Sequence, residues 1–564
     1  MTTSQRVWRG ALAVVTVALG VLLILRPFSS VPWAAAALAV GLIVAGAVDL
    51  ADAEVRRSPL RLAAAIAMPI VGIVLLAWRG LSVFAVAVAA AVALVAWAIG
   101  RWGRALKRGP GWWADALLGV AAIAAAVLAI SWPGVSIFLV MGALGIALIW
   151  RGVGALIGLF RSPDRTPRAH VALRTIGAVV AVVVTVPLTV ATFYVRGTAP
   201  EPGAFYSATL PSNAKPGTLL KFEPTTQGVP DGARAWKILY TTTRGDRPAL
   251  ASGTVLVPTA PSTTPRPVIA WAHGTSGIAE NCAPSMMAAP FAHIPGLAQV
   301  VQNGWVLVAT DYIGMGTPGP SPYVIGDGEA RSTLDSVRAA RALPGIAMAP
   351  QTVVWGHSQG GHAALWTELL APSYAPDVGV VATAALAPAS DLSALAVGME
   401  SMAGGALLAS YVLAAYDAAY PDVHFNDYLK VQARLPIRGM AERCLSSLAM
   451  PVSLAEALIL GTDFYSQDPT SGPLGARLLA NTPSARLPHP TFIAQGLADE
   501  VISPSSQNTF ATQQCRTGSD LVYQTYPGLG HMTLIDDESP AVAALLSWTQ
   551  ARFAGQPQSP ACPT

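Results

Sequence analysis

Seven apolar runs dominate the first 195 residues of the sequence and constrain its fold more than any other feature. They lie at about 10–26, 32–50, 62–79, 82–100, 114–131, 135–151 and 175–195. Each is close to the roughly 20 residues that a helix needs to cross a bilayer. Because hydrocarbon offers the backbone no hydrogen-bond partner, such spans must be helical. Residues 1–197 are therefore predicted to form an all-α polytopic membrane domain of about seven transmembrane helices.

The composition agrees with a chain that is only partly soluble. Hydrophobic residues make up 53% of the 564 positions and charged residues only 12%, about half the usual charged share of a soluble domain. The net charge of +4 hides an asymmetry, because residues 1–198 contain 17 Lys and Arg against 5 Asp and Glu, whereas the rest contain 18 against 26. The basic residues lie in short clusters between apolar runs, a pattern that orients membrane proteins and excludes nucleic acid as a partner.

The basic clusters mark alternate loops between the runs. Loops on one side hold 14 Lys and Arg and loops on the other side hold 2. The positive-inside rule then places the amino terminus in the cytoplasm, and an odd number of spans carries everything after Val195 to the extracytoplasmic side of the cell membrane. The competing interpretation is a signal peptide cleaved near residues 33–36, but cleavage would destroy the first of three repeats.

Those repeats are three similar helical hairpins, spaced by roughly fifty residues and turning near residues 25–29, 78–82 and 132–136. The pattern resembles the HdeD-like short-repeat membrane proteins over about residues 8–160. Acidic residues such as Asp115 fall at the ends of the runs near basic clusters, so we expect them to be solvated and not to form a transport path.

A second domain follows a linker. Residues 198–216 are rich in Pro, Gly, Ser and Asn, which indicates a tether. Over 217–564, helical stretches alternate with short strand candidates and predict a parallel sheet covered by helices; the candidates are 254–257, 267–272, 305–310, 352–355, 379–386, 491–495 and 521–525. About one hundred residues without strand signal precede the strand at 491, which is too long for a loop, so we predict a helical cap at about 390–486.

A nucleophile motif follows the strand at 352–355. Gly356, Ser358 and Gly360 form G-x-S-x-G between a strand and a helical run, the context of the nucleophile elbow in α/β-hydrolases. The turn is sharp and requires small neighbours, and the helix amino terminus favours negative charge beside the serine. The alternative is a glycine-rich turn with an idle serine, because the motif is weak without its context.

A serine hydroxyl needs a base, and in this fold the order along the chain is Ser, acid, His. Of the four later histidines, His531 lies in a glycine-rich loop after the last strand and is the candidate base; the others are His362, His424 and His489. Asp499, at the carboxyl end of the preceding strand, is the candidate acid, and Glu500 is its competitor. We expect the carboxylate to hold the imidazole in the useful tautomer.

An acyl transfer site also needs amide donors aimed at the developing oxyanion. One is expected from Gln359, directly after the serine, and the other from Gly274 and Thr275, which follow the first central strand. His273 is expected to brace this loop. We expect no metal and no cofactor.

The same residues resemble the secretory lipases, α/β-hydrolases similar to the fungal lipase A type, over 203–564. The matching segments are 216–220, 273–275, 282–285 and 311–316, the elbow, and the segments around Asp499 and His531. The resemblance implies hydrolysis of carboxylic esters, with a lid over an acyl-binding tunnel and a lipid or ester as substrate. The apolar cap suits medium- to long-chain acyl groups. The membrane domain departs from that family, whose members are secreted free.

All four cysteines fall in the second domain, and their spacing contains no C-x-x-C metal signature. Two disulfides are the simplest interpretation and agree with export; four buried thiols would require an inverted topology. Among three possible connectivities we expect Cys282 to join Cys444, linking core to cap, and Cys515 to join Cys562.

Two other classes of function fit the same motifs. An acyltransferase or thioesterase would use the same acyl-enzyme on Ser358. A membrane stress-response or transport protein would carry the hydrolase domain as an accessory. Loss of all phenotype in a Ser358→Ala variant favours the enzyme classes, and retention of the phenotype favours the membrane class.

Overall fold

The computed structural model describes residues 3–25, 83–109, 111–131, 167–197, 201–211 and 214–563, with single positions at 43, 66, 69, 70, 73, 149, 153 and 156. The chain divides into two compact units, Met1–Gly197 and Thr198–Thr564.

The first unit is helical wherever its structure is described over more than single positions. Its helices are α1 (Thr3–Leu25), α2 (Val83–Leu106), α3 (Trp112–Ser131) and α4 (Pro167–Gly197). These overlap four of the seven predicted spans, and the runs at 32–50, 62–79 and 135–151 lie outside the described residues except at single positions. Within the described part of the chain, α3 is the one helix long and apolar enough to cross a membrane. Seven spans therefore stay a prediction.

An ion pair joins α2 to α3. Arg101 Nη1 donates to Asp115 Oδ1 at 2.9 Å, and Asp115 is only 5% exposed. Arg101 also lies over the ring of Trp97, 4.4 Å from its centroid. The expectation that Asp115 is solvated is therefore wrong, because the hairpin brings the basic end of α2 onto the acidic first turn of α3, where both helix dipoles favour the pair.

The second unit is built on a nine-stranded sheet with the order β1-β2-β3-β5-β4-β6-β7-β8-β9. The strands are β1 (Leu219–Thr225), β2 (Ala233–Arg244), β3 (Arg247–Pro258), β4 (Arg266–Ala272), β5 (Val306–Thr310), β6 (Met348–His357), β7 (Val380–Leu386), β8 (Thr491–Gly496) and β9 (Leu521–Tyr526). Strands β4 to β9 pair in parallel, whereas β1, β2, β3 and β5 pair antiparallel. The predicted parallel sheet is thus mixed, because short connections join β1 to β2 and β2 to β3, and strands joined in this way pair antiparallel.

Helices cover both faces of the sheet. They are α5 (Leu297–Gln302), α6 (Gly326–Arg341), α7 (Gln359–Tyr374), α13 (Pro504–Arg516) and α14 (Pro540–Phe553). Neighbouring residues of β6 point to opposite faces: Val354 belongs to the apolar cluster that includes Leu334 of α6, and Trp355 belongs to the cluster that includes Leu545 of α14. The central strands are therefore buried on both sides.

Between β7 and β8 lie five helices, α8 (Leu392–Ser401), α9 (Gly405–Ala419), α10 (Arg434–Ala441), α11 (Met450–Leu460) and α12 (Gly472–Ala480). They enclose their own apolar core, in which Tyr411, Tyr416 and Phe464 are fully buried. Both expected disulfides are present, Cys282–Cys444 and Cys515–Cys562. The first ties the loop after β4 to the segment after α10.

A buried carboxyl group connects α7 to the start of β8. Glu368 is fully buried; its Oε1 accepts from His489 N at 2.8 Å, and Thr491 Oγ1 donates to its Oε2 at 3.0 Å. Burial raises the pKa of Glu368 to about 8, and these hydrogen bonds only partly offset the cost of desolvating the charge.

We expect the Glu368→Gln variant to gain stability over the wild type as pH rises from 4.5 to 8. Because the folded-state pKa of Glu368 is raised, the stability of the wild type is highest below pH about 4.5 and falls as pH rises through 8, by roughly 5 kcal/mol at most. Glutamine keeps the hydrogen bonds and cannot ionise. Urea unfolding of the full chain in detergent at several pH values measures the difference, and a pH-independent difference would contradict the prediction.

Candidate active site

Ser358 occupies a sharp turn between β6 and α7. Its backbone has φ of 59° and ψ of −120°, which is strained for a residue with a side chain. A Cβ on Gly356 would overlap the carbonyl oxygen of Gly360, and a Cβ on Gly360 would overlap that of Ala272 in β4. Both motif glycines are therefore required by close backbone approach.

Three main-chain hydrogen bonds hold this strained turn. Ser358 N donates to Leu386 O at 3.0 Å, and Ser358 O accepts from His362 N and Ala389 N, each at 3.1 Å. The turn is thus fixed to the end of β7, and the amino terminus of α7 points its free N–H groups toward the serine.

Asp499 and His531 form a buried pair. His531 Nδ1 donates to Asp499 Oδ2 at 2.9 Å and lies 3.1 Å from Oδ1, with the two residues 5% and 8% exposed. Asp499 Oδ1 also accepts from Val501 N and Ile502 N, each at 2.8 Å. Burial alone would raise the pKa of Asp499, but the bonds from His531 and the two amides outweigh it and lower the pKa. The carboxylate is therefore ionised and leaves the lone pair of His531 on Nε2.

The competing acid, Glu500, contacts the base differently. Its Oε2 accepts from the backbone N–H of His531 at 3.1 Å, so it steadies the loop and not the ring.

His357, the residue before the serine, connects the elbow to the base. Its ring centroid lies 4.6 Å from that of His531, and its Nε2 donates to His531 O at 3.0 Å. Burial, with a smaller contribution from His531, lowers the pKa of His357 to about 3, so it stays neutral. Among the hydrogen bonds of the described residues, none joins Ser358 Oγ to His531. Such a contact commonly tightens only when substrate is bound.

The loop after β4 lies against the elbow. A Cβ on Gly274 would lie 3.2 Å from His357 O and 3.8 Å from Ser358 Cβ. Thr275 Oγ1 is 2.9 Å from Tyr323 OH. The structure thus places Gly274 close to Ser358, and Gln359 follows the serine directly in the chain.

His273 braces that loop. Its Nδ1 donates to Gly274 O at 2.7 Å, and its ring stacks on Tyr312 at a centroid distance of 4.4 Å. Burial lowers the pKa of His273 to about 4, which keeps it neutral. Asp311, in one of the segments that carry the family resemblance, accepts from Ser252 Oγ at 2.6 Å and Ser285 N at 2.9 Å and so fixes the next turn of the same loop.

Sequence reasoning did not single out Glu329, which lies under the elbow helix. It is fully buried and accepts from Gln359 Nε2 at 2.8 Å, and its Oε2 is 2.8 Å from His362 Nδ1. No local motif marks this glutamate, because its partners lie about thirty residues away along the chain. The two remaining histidines lie elsewhere: His424 in the cap after α9 and His489 just before β8.

Within the described residues, no group of three or more His, Cys, Asp or Glu side chains could hold a metal ion. The groups at this site can deprotonate a hydroxyl, store the proton on an imidazole and stabilise an anion, which is the chemistry of acyl transfer.

Comparisons with known proteins agree with this fold. The secretory lipase family matches residues 293–560, and the short repeat of unknown function (DUF308) matches 11–62 and 117–186. The chain is 26% identical to lipase A of Moesziomyces aphidis over 60% of the chain and 78% of that protein. It is 25% identical to trichothecene C-3 esterase of Fusarium sporotrichioides, over 61% and 81%.

Solved structures show the same fold. Candida antarctica lipase A in its closed state has a TM-score of 0.53 at 20% identity, covering 65% of the chain and 89% of that protein. A mutant of the rice cell wall degrading esterase LipA from Xanthomonas oryzae has a TM-score of 0.52 at 18% identity, covering 61% and 100%. Both expected resemblances are confirmed: the chain carries an α/β-hydrolase domain of the secretory lipase type behind a short-repeat domain, and it is a carboxylic ester hydrolase.

Proposed function

We propose that the chain hydrolyses carboxylic esters through an acyl-enzyme on Ser358, with His531 as base and Asp499 as the acid that orients it. The buried Asp499–His531 pair beside the strained serine elbow carries this proposal. The proposed division of the chain is a membrane domain at 1–197, a linker at 198–216 and a hydrolase at 217–564 with its cap at about 390–486.

The geometry supports a two-step reaction. His531 Nε2 takes the proton of Ser358 as Oγ attacks the ester carbonyl, and Asp499 stabilises the imidazolium that forms. The N–H of Gln359 and the Gly274–Thr275 segment stabilise the oxyanion. The imidazolium then protonates the leaving alcohol, and a water molecule repeats the sequence to release the acid and free Ser358.

We expect Ser358→Ala, His531→Ala and Asp499→Asn each to lower kcat/KM for p-nitrophenyl esters by about 10³-fold or more. Asparagine presents an amide to the imidazole and favours the wrong tautomer. Glu500→Gln is the matched control: it keeps an acceptor for His531 N, so it should lower kcat/KM by less than about tenfold. Steady-state kinetics of the full chain measures these changes in kcat/KM. A mild Asp499→Asn with a severe Glu500→Gln would reassign the acid, and full activity in Ser358→Ala would end the serine mechanism.

The cap favours an apolar acyl group. Its helices α9 and α11 are almost entirely apolar, and methionine and tyrosine side chains such as Met399, Met440 and Tyr411 fill its interior. Unbranched Met side chains adapt to irregular apolar shapes. We therefore propose medium- to long-chain esters as substrates, in line with the lipases among the similar proteins.

We expect kcat/KM to rise from acetyl to octanoyl p-nitrophenyl esters, because each buried methylene contributes up to about 0.8 kcal/mol. The series is measured on the full chain below the critical micelle concentration of each ester. Ser358→Ala supplies the background rate. Strict preference for the acetyl ester would contradict the proposed long-chain specificity and indicate a short-chain esterase.

We further propose that the protein is integral to the cell membrane, with the amino terminus cytoplasmic and the hydrolase on the extracytoplasmic side. The arginine asymmetry between loops, the candidate span α3 and the two disulfides in the second unit support this topology. Disulfides persist outside the reducing cytoplasm.

We expect protease added to intact spheroplasts to degrade the hydrolase unit while a tag at the amino terminus stays protected. The measurement is immunoblotting with tags at both ends. Detergent lysis is the control that exposes both tags. A hydrolase unit that is protected until lysis, with four free thiols, would reverse the topology.

A further inference from the structure

A fully buried carboxyl group lies beneath the elbow. Glu329, in the first turn of α6, has no exposed surface, and its Oε1 accepts from Gln359 Nε2 at 2.8 Å and from Val324 N at 3.0 Å. Its Oε2 lies 2.8 Å from His362 Nδ1. One side chain therefore contacts α7, the loop before α6 and a second buried titratable group.

His362 neutralises this carboxyl group. Its Nε2 lies 2.8 Å from Asn481 O, and because a carbonyl only accepts, Nε2 carries a proton. The contact between Nδ1 and Glu329 then requires one more proton, on either the imidazole or the carboxyl group. In both cases the pair has no net charge, which lets two titratable side chains remain fully buried.

The first arm of the proposed oxyanion hole is held directly. Gln359 supplies the main-chain donor beside Ser358, and its own side chain is clamped by Glu329. Gln359 is only 1% exposed, so substrate does not compete for that side chain. His362 lies one helical turn further along α7 and is held by the same carboxyl group.

The second arm is held through a strained residue. Val324 has φ of 47°, a region that a β-branched residue rarely adopts. Two bonds hold it there: Val324 N donates to Glu329 Oε1, and Val324 O accepts from Tyr416 OH at 2.9 Å. The hydroxyl of the preceding residue, Tyr323, lies 2.9 Å from Thr275 Oγ1, so the backbone conformation at Val324 helps to place it there.

We propose that Glu329 and His362 are a positioning pair that sets the spacing between the two arms of the oxyanion hole, Gln359 on α7 and the Gly274–Thr275 segment after β4. The inference rests on the proposed serine mechanism. Without Glu329, Gln359 loses its clamp and Val324 loses one of the two bonds that keep it strained. Tyr323 then no longer fixes Thr275.

A second buried glutamate provides a matched control. Glu368 lies on α7, as Gln359 and His362 do, and is equally buried, but it bonds to His489 N and Thr491 at the start of β8. Replacing it disturbs the same helix without touching either arm. Loss of a buried carboxyl group and loss of the oxyanion geometry are thereby separated.

The experiment compares p-nitrophenyl butanoate with its thionoester, in which sulfur replaces the carbonyl oxygen. Sulfur is a weak hydrogen-bond acceptor, so an oxyanion hole favours the oxygen ester. The ratio of kcat/KM for the oxygen ester to kcat/KM for the thionoester does not depend on the fraction of enzyme that is folded. For the full chain we expect Glu329→Leu to lower this ratio by about tenfold or more.

The control variants should keep the wild-type ratio within about twofold. Glu329→Gln can accept from Gln359 and Val324 and donate to His362, so it should restore the ratio. Glu368→Leu should keep the ratio even if it lowers the melting temperature. If Glu329→Leu does not fold, Tyr416→Phe removes the other bond to Val324 at nearly constant volume, and it should lower the ratio several-fold.

The outcomes separate the inference from the proposed function. Suppose that the wild type hydrolyses the ester and prefers it to the thionoester. An unchanged ratio in both Glu329→Leu and Tyr416→Phe would then overturn the positioning role and leave the proposed mechanism intact. A wild type with no Ser358-dependent ester hydrolysis would overturn the proposed function. If Glu368→Leu lowers the ratio as much as Glu329→Leu does, the effect comes from general packing, and the positioning role of Glu329 and His362 is rejected.

Discussion

Close approach of the backbone at the elbow is the constraint on which the rest of the hydrolase unit depends. The turn that carries Ser358 passes so near β4 that a methyl group on Gly360 would overlap Ala272 O, and its amide is bonded to the end of β7. The loops leaving those two strands are therefore fixed relative to the serine. One loop carries Gly274 and the other leads into the cap helices, so the proposed oxyanion site and the cap are both fixed relative to the elbow.

The sheet explains why the three residues of the proposed triad could be named from the sequence. Ser358, Asp499 and His531 follow β6, β8 and β9, and the carboxyl ends of parallel strands meet at one edge of a sheet. Strand periodicity and chain order are visible in a sequence, so the residues could be named before their contacts were known. The structure adds the contact between Asp499 and His531, while the bond from Ser358 to His531 stays a prediction.

The features that the sequence did not reveal depend on contacts between distant residues or lack an apolar pattern. β1 is a half-exposed edge strand with polar positions, so it lacks the apolar signal of the central strands. Glu329 gives no local signal, since its role depends on Gln359 and His362 on the next helix. Asp115 was expected in solvent because a helix end is usually wet, and only the fold of the α2–α3 hairpin brings Arg101 onto it. In the first unit, three of the seven predicted spans lie outside the described residues.

The histidines His357 and His273 and the Glu329–His362 pair, which surround the proposed catalytic residues, carry no net charge. Burial lowers the pKa of His357 to about 3, and the nearby His531 contributes to this shift. Burial also lowers the pKa of His273 to about 4, so neither histidine becomes a cation. Glu329 and His362 cancel each other. Asp499 bonds to the imidazole of His531, whereas Glu500 accepts from the backbone N–H of that residue, and the lowered pKa of Asp499 keeps it charged. In the proposed mechanism, the positive charge that forms on His531 therefore meets a carboxylate and no competing cation among these neighbours, which favours the transition state over the resting enzyme.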